Sequence, residues 1–161
     1  MDIWKKTNWK NNKEICKKER RMGLRFRFQK DVDKNVRRAC IDFGNWIRSK
    51  YYFPVRIVIY FKSTPYIKAS DGEFVSATFF EPFSKIDEPF IKIATGDFHQ
   101  MTEEWGEDDA LAAILGSIAH ELTHYFQWIN DIRLTDIGLE KQASHYTKKV
   151  ILEYAQIREH P

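Results

Sequence analysis

Hydrophobic and polar positions along this chain follow two different periods, and the change of period divides it into elements. In the middle third, apolar residues alternate with polar ones or gather into β-branched and aromatic runs. Pro54 to Phe61, Glu73 to Phe80 and Pro89 to Thr95 each read as a strand. Ser70-Asp71-Gly72 and Glu81-Pro82 supply turn chemistry between them. On either side the period is helical. Val32, Val36, Ala39, Cys40, Phe43, Trp46 and Ile47 share one face of a predicted helix over 32–47 that would cover the sheet. Further on, Asp108 and Asp109 precede the apolar run Ala110 to Ala119, as acidic residues do at a helix N-terminus. The apolar character continues to Tyr125, Phe126 and Trp128, so this helix should be buried. A last helix opens at Thr135, a suitable N-cap, and runs through Val150, Ile151, Leu152, Tyr154 and Ala155. Helix, strands, long helix, C-terminal helix is an α+β order rather than a series of βαβ units.

The long helix contains His120-Glu121-Leu122-Thr123-His124. Residues four apart on a helix lie one above the other on the same face, so two imidazoles can converge on one Zn²⁺. The Glu one step along can then reach a water activated by the metal and act as its base. Two imidazoles and a carboxylate on an apolar helix are costly unless something pairs with them, which favours a metal over stray surface histidines. A catalytic zinc takes three protein ligands. Downstream, Asp131, Asp136, Glu140 and His145 are the candidates, and Glu140 is preferred because small residues near it would let its helix approach closely. Asp131, Asp136 and Asp97 are candidates to orient the zinc-bound imidazoles. The hydroxyls of Thr123 and Ser117 are expected to bond back to helix carbonyls.

His120-Glu121-x-x-His124 followed by Glu140-x-x-Ala143 resembles the gluzincin group of zinc metallopeptidases. Its small members, the minigluzincins and ImmA/IrrE-like domains, are similar in size, and the resemblance covers residues 85–157. The gap from His124 to Glu140 is short for the group, and the glycine that follows the motif in metzincins is missing. The resemblance implies a zincin-like fold with a small twisted, mainly antiparallel sheet before the active-site helix and an edge strand beside the cleft. The strand over 89–95, the last before the active-site helix, is expected near the cleft, and as an edge it could pair with an extended peptide. It also implies a peptidase with His120, His124 and Glu140 as zinc ligands and Glu121 as catalytic base. Tyr146 and His145, close behind Glu140, are the candidate transition-state stabilisers.

Composition bounds the alternatives. A chain of 161 residues with 43% hydrophobic and 15% aromatic content suits one domain over 1–161. Neither a membrane span nor a secretory signal is read, and Cys16 and Cys40 show no metal or disulfide spacing, so a cytoplasmic protein with reduced thiols is expected. No pattern sets an oligomeric state. Charge is uneven: residues 1–50 carry 16 Lys/Arg against 6 Asp/Glu, or +10, and the remainder carry 10 against 17, or −7, giving +3 in all. Residues 1–28 therefore read as a basic N-terminal arm, with Lys17, Lys18, Arg20, Arg21, Arg25 and Arg27 interleaved with Trp4, Trp9, Phe26 and Phe28. Such an arm suits nucleic acid or an acidic partner, or could lie over the cleft as a pro-segment. Two functions follow: a zinc metallopeptidase acting on a peptide or protein, or a catalytically silent regulator that binds nucleic acid or protein through the arm.

Overall fold

Four strands form the central sheet of the computed structural model, which describes residues 2–161: β1 (Leu24–Phe28), β2 (Ile57–Lys62), β5 (Ala77–Phe80) and β6 (Phe90–Ala94), in the order β1-β2-β6-β5. The short strands β3 (Ile67–Lys68) and β4 (Phe74–Val75) make a separate hairpin. The fold is α+β, but the sheet is not mainly antiparallel. β1, β2 and β6 run parallel, and only β5 is antiparallel to its neighbour. The reason lies in β1, a strand inside the segment read as a basic arm. Helix α1 (Lys34–Lys50) crosses over from β1 to β2, and that connection forces a parallel pair. The strand over 89–95 is consequently interior, and the sheet edge belongs to β5.

One face of the sheet is buried by helices. Leu24, Ile57, Ile59, Phe61, Ile91 and Ile93 point inward, as every second residue of a half-buried strand must. Helix α1 presses on β1 at Gly44, where an added Cβ would stand 2.5 Å from the Phe26 ring. Helices α2 (Phe98–Trp105), α3 (Glu107–Ile129) and α4 (Asp136–Ala155) complete the fold. Asp33 caps α1 and Thr135 caps α4, each accepting backbone N–H groups of the first turn. Ala143, Tyr146, Val150 and Tyr154 form the buried stripe of α4, which packs along α3. Among the described residues, no helix is long and apolar enough to cross a membrane, and both cysteines are free, Cys16 exposed and Cys40 buried.

The N-terminal segment is built into this structure rather than extending as an arm. Trp4 is 2% exposed, its ring against Tyr51 and Phe126, and its indole N–H donates to Thr123 Oγ1 at 3.0 Å. It therefore braces α3 at Thr123 and Phe126, and it lines neither pocket beside the motif's histidines. Phe26 and Phe28 pack under α1 against Phe61. Trp4→Ala should lower folding stability by about 3–5 kcal/mol in urea denaturation, the usual result of emptying a buried aromatic site. An unchanged midpoint would mean that the segment is dispensable.

Candidate metal centre

Helix α3 passes through the core with His120 and His124 on the side that faces α4 and the edge of β5, their rings 5.0 Å apart and edge to face. Close packing brings α4 to them. Ala143 is fully buried near the crossing, and a Cβ on Gly116 would meet Thr147 Cγ2 at 3.6 Å. Glu140, one turn before Ala143, then reaches across. Its Oε2 lies 3.0 Å from His120 Nε2 and its Oε1 lies 3.0 Å from His124 Nε2. The three donor atoms all fall within 4.8 Å of one another. Tetrahedral ligands about 2.0–2.1 Å from zinc stand about 3.3 Å apart, so the cluster has the reach of a zinc site.

Which nitrogen of His124 carries its proton is set by a neighbour. Gln127, one turn along the same face and 4% exposed, donates its amide N–H₂ to the Leu139 carbonyl and to Gln142 Oε1, both at 3.0 Å. A backbone carbonyl can only accept, so the Gln127 oxygen is turned toward His124 Nδ1, 2.7 Å away. His124 Nδ1 is therefore the donor, and its Nε2 faces Glu140 Oε1 at 3.0 Å. The imidazole nitrogen and the carboxylate need a proton or a metal ion between them at that distance. A divalent metal meets that need for both imidazoles at once, and the donor set of two nitrogens and a carboxylate fits zinc. Gln127→Ala should weaken zinc binding about 10–100-fold in a chelator competition, as loss of such an orienting partner does elsewhere. Wild-type affinity in that variant would show that the amide does not orient the ring.

Glu121 points to the same cleft but belongs to no ligand cluster. It is 7% exposed, and burial pushes its carboxyl up to about 7, with the Glu140 charge adding to the rise and His124 and the Phe79 backbone amide opposing it. His120 moves down from the ordinary imidazole value, through burial and then the His124 charge, against the pull of Glu140. Between about pH 4.5 and 7, folded chelator-treated protein binds more protons at Glu121 than the unfolded chain does, so this group removes stability as pH rises through that window. The difference in stability between wild type and Glu121→Gln should therefore change by up to ~3 kcal/mol across it, wild type losing ground toward pH 7. Parallel stability curves for the two proteins would contradict the burial argument.

The cleft, about 660 Å³, is bounded by Val75, Ala77, Phe79 and Trp128 as well as the motif. Because Ser76 accepts from Ala94 on the β6 side, Ala77 and Phe79 turn their backbone groups outward along the cleft. At His120 and Glu121 it joins an apolar groove of about 850 Å³ lined by Trp105, Ala112, Gly116, Ile151 and Leu152.

Other sequence candidates lie elsewhere. Tyr146 is on the buried stripe of α4, and its hydroxyl accepts the Ile3 N–H at 3.1 Å, so it points away from the motif. His145 opens with Lys141 and Lys148 onto a separate depression that Glu140 also borders. Asp131 pairs with Lys85 at 3.1 Å, and Asp136 opens α4 and borders the cleft without bonding either imidazole. Asp97 precedes α2. Thr123 and Ser117 bond back to the Ala119 and Ala113 carbonyls. Gln127 was the residue missed, although its place three residues after His124 puts it on the ligand face. No protein-family profile, curated protein or solved structure matches the chain.

Proposed function

We propose that this protein is a zinc-dependent metallopeptidase of gluzincin-like architecture. The observation that carries this reading is His124, whose proton is fixed on Nδ1 by Gln127 while Nε2 faces the Glu140 carboxylate at 3.0 Å. His120, His124 and Glu140 would hold the ion. Zinc supplies the Lewis acidity that activates a water and polarises a carbonyl. Glu121 stands one residue from a ligand, with a carboxyl that burial makes a stronger base than an exposed glutamate. It takes the proton of the attacking water and delivers it to the leaving amine.

The sheet edge supports peptide as substrate class. The outward backbone groups of Ala77 and the Phe79 carbonyl can pair with an extended chain laid along β5. The Phe79 amide already serves Glu121, which ties that edge to the base. Beyond His120 and Glu121, the groove offers an apolar side chain next to the scissile bond a place out of water. The free thiols suit a reducing compartment, and we assign the enzyme to the cytoplasm.

The test is a degenerate peptide library incubated with zinc-loaded protein and read by mass spectrometry. Cleavage beside large apolar residues, absent after chelation and restored by zinc, is the expected result. Intact peptides throughout, with zinc shown to be bound, would overturn the peptidase reading.

A further inference from the structure

The sheet's other face carries residues that the metal centre does not use. Its positions follow from the strand registers. Arg25 on β1 shares one cross-strand row with Phe90 and Phe80, and Arg27 shares the next with Tyr60 and Lys92. These side chains point away from α1 and α3, on the opposite side of the strands from the buried Ile57, Ile59, Ile91 and Ile93. The aromatic rings are contiguous. Phe80 and Phe90 stack at 4.5 Å, and Tyr60 meets Phe90 edge-on at 6.1 Å. Cations stand over them, Lys92 Nζ at 5.4 Å from the Phe80 ring and Lys62 Nζ at 5.7 Å from the Tyr60 ring.

An open sheet face is ordinarily a mixture of small polar residues and both signs of charge. Here no carboxylate occupies an outward strand position, whereas Arg25, Arg27, Lys62 and Lys92 all do. Glu88, just before β6, is engaged by Arg21 at 2.6 Å. Elsewhere in the basic N-terminal stretch, Lys17 pairs with Glu14, and Arg20 bonds the Glu14 and Asp87 carbonyls. Among the described residues, Arg25, Arg27, Lys62 and Lys92 form no ion pair with a carboxylate, and they stand beside the aromatic rings of this face.

We propose that this face binds single-stranded nucleic acid, with bases stacking on Tyr60 and Phe80 and phosphates meeting the four cations. The charge complementarity selects a polyanion, and the rings select one whose base faces are free, which excludes a closed duplex. Rings and phosphates are the same in DNA and RNA, so both are the same ligand to this surface. The site is independent of the metallopeptidase reading, since none of its residues borders the cleft's histidines.

Fluorescence anisotropy with labelled 12-mers of deoxythymidine and of uridine tests it. Both strands should bind alike, and a duplex of equal length at least about 10-fold more weakly. The logarithm of affinity should fall with that of salt concentration at a slope near −3, about −0.7 for each of four phosphates. The Arg25→Glu/Arg27→Glu variant should bind at least about 10-fold more weakly with a slope shallower by about 1.4. Tyr60→Ala should lose about 10-fold with the slope unchanged. Zinc content and thermal midpoint of both variants should match wild type, and Glu121→Gln should bind the strand as wild type does. Lack of binding at 50 mM salt, equal affinity for duplex, or wild-type affinity in both variants would overturn the proposal. Displacement of the strand by polyglutamate at equal charge concentration would overturn it too, in favour of an acidic protein partner.

Discussion

Glu121→Gln should slow peptide hydrolysis about 10²–10⁴-fold, the usual contribution of a positioned acid–base group, while the protein keeps its zinc. The prediction separates the two roles within five residues of sequence. His120 and His124 present nitrogen to the Glu140 carboxylate, whereas Glu121 turns its side chain into the same cleft without joining that cluster. Glutamine has nearly the same shape, and its amide oxygen can still accept the Phe79 N–H that now meets the carboxylate. What it lacks is basicity. Removing the buried charge also spares the fold a desolvation penalty, so a lost rate cannot be assigned to unfolding. Turnover at the wild-type rate, or loss of zinc along with turnover, would remove Glu121 from the proposed role.

His124→Ala should abolish zinc binding at stoichiometric concentrations, a larger loss than the ~10–100-fold expected for Gln127→Ala. The imidazole is held at both ends, by Gln127 Oε1 at 2.7 Å and Glu140 Oε1 at 3.0 Å, so truncation leaves two polar groups without their partner. Zinc should raise the thermal midpoint of wild type, because an ion that binds only the folded chain adds about 4 kcal/mol at a thousand times its dissociation constant. The His124→Ala variant should show no such rise. Acid should reverse the effect in wild type, since His120 and His124 must be unprotonated at Nε2 to bind metal and Glu140 must be ionised. A zinc-induced rise that persists in His124→Ala would place the ion elsewhere.

Elements with a strong local pattern were legible in the chain. The apolar run ahead of His120 announced α3, and Thr135 announced the start of α4. The convergence of His120, His124 and Glu140 was also within reach, because two of the three are set by helical spacing alone. The sheet was not, and the cause is β1. Leu24-Arg25-Phe26-Arg27-Phe28 alternates as a strand should, but its arginines made it read as part of a charged tail. Without β1 the α1 crossover is not foreseen, and nothing in the sequence challenges the antiparallel sheet that the resemblance implies. The strand over 89–95, expected near the cleft, proves interior while β5 is the edge. Pairing between distant strands leaves no local trace, which is why such an error spreads. Helix α2, absent from the predicted elements, is only eight residues long and carries little periodic signal. Tyr146 lines neither the cleft nor the adjoining groove, for a geometric reason. Its spacing to Ala143, Val150 and Tyr154 puts it on the stripe that α4 buries, not on the flank that carries Glu140.

The most direct measurement is the zinc content of purified wild-type protein, by elemental analysis after equilibration with zinc at neutral pH and removal of the excess. One zinc per chain, lost in His124→Ala and in Glu140→Ala, is the result that the geometry of the three ligands predicts. A wild-type chain that retains no zinc, or retains it equally in both variants, would contradict the assignment of His120, His124 and Glu140 as a metal centre.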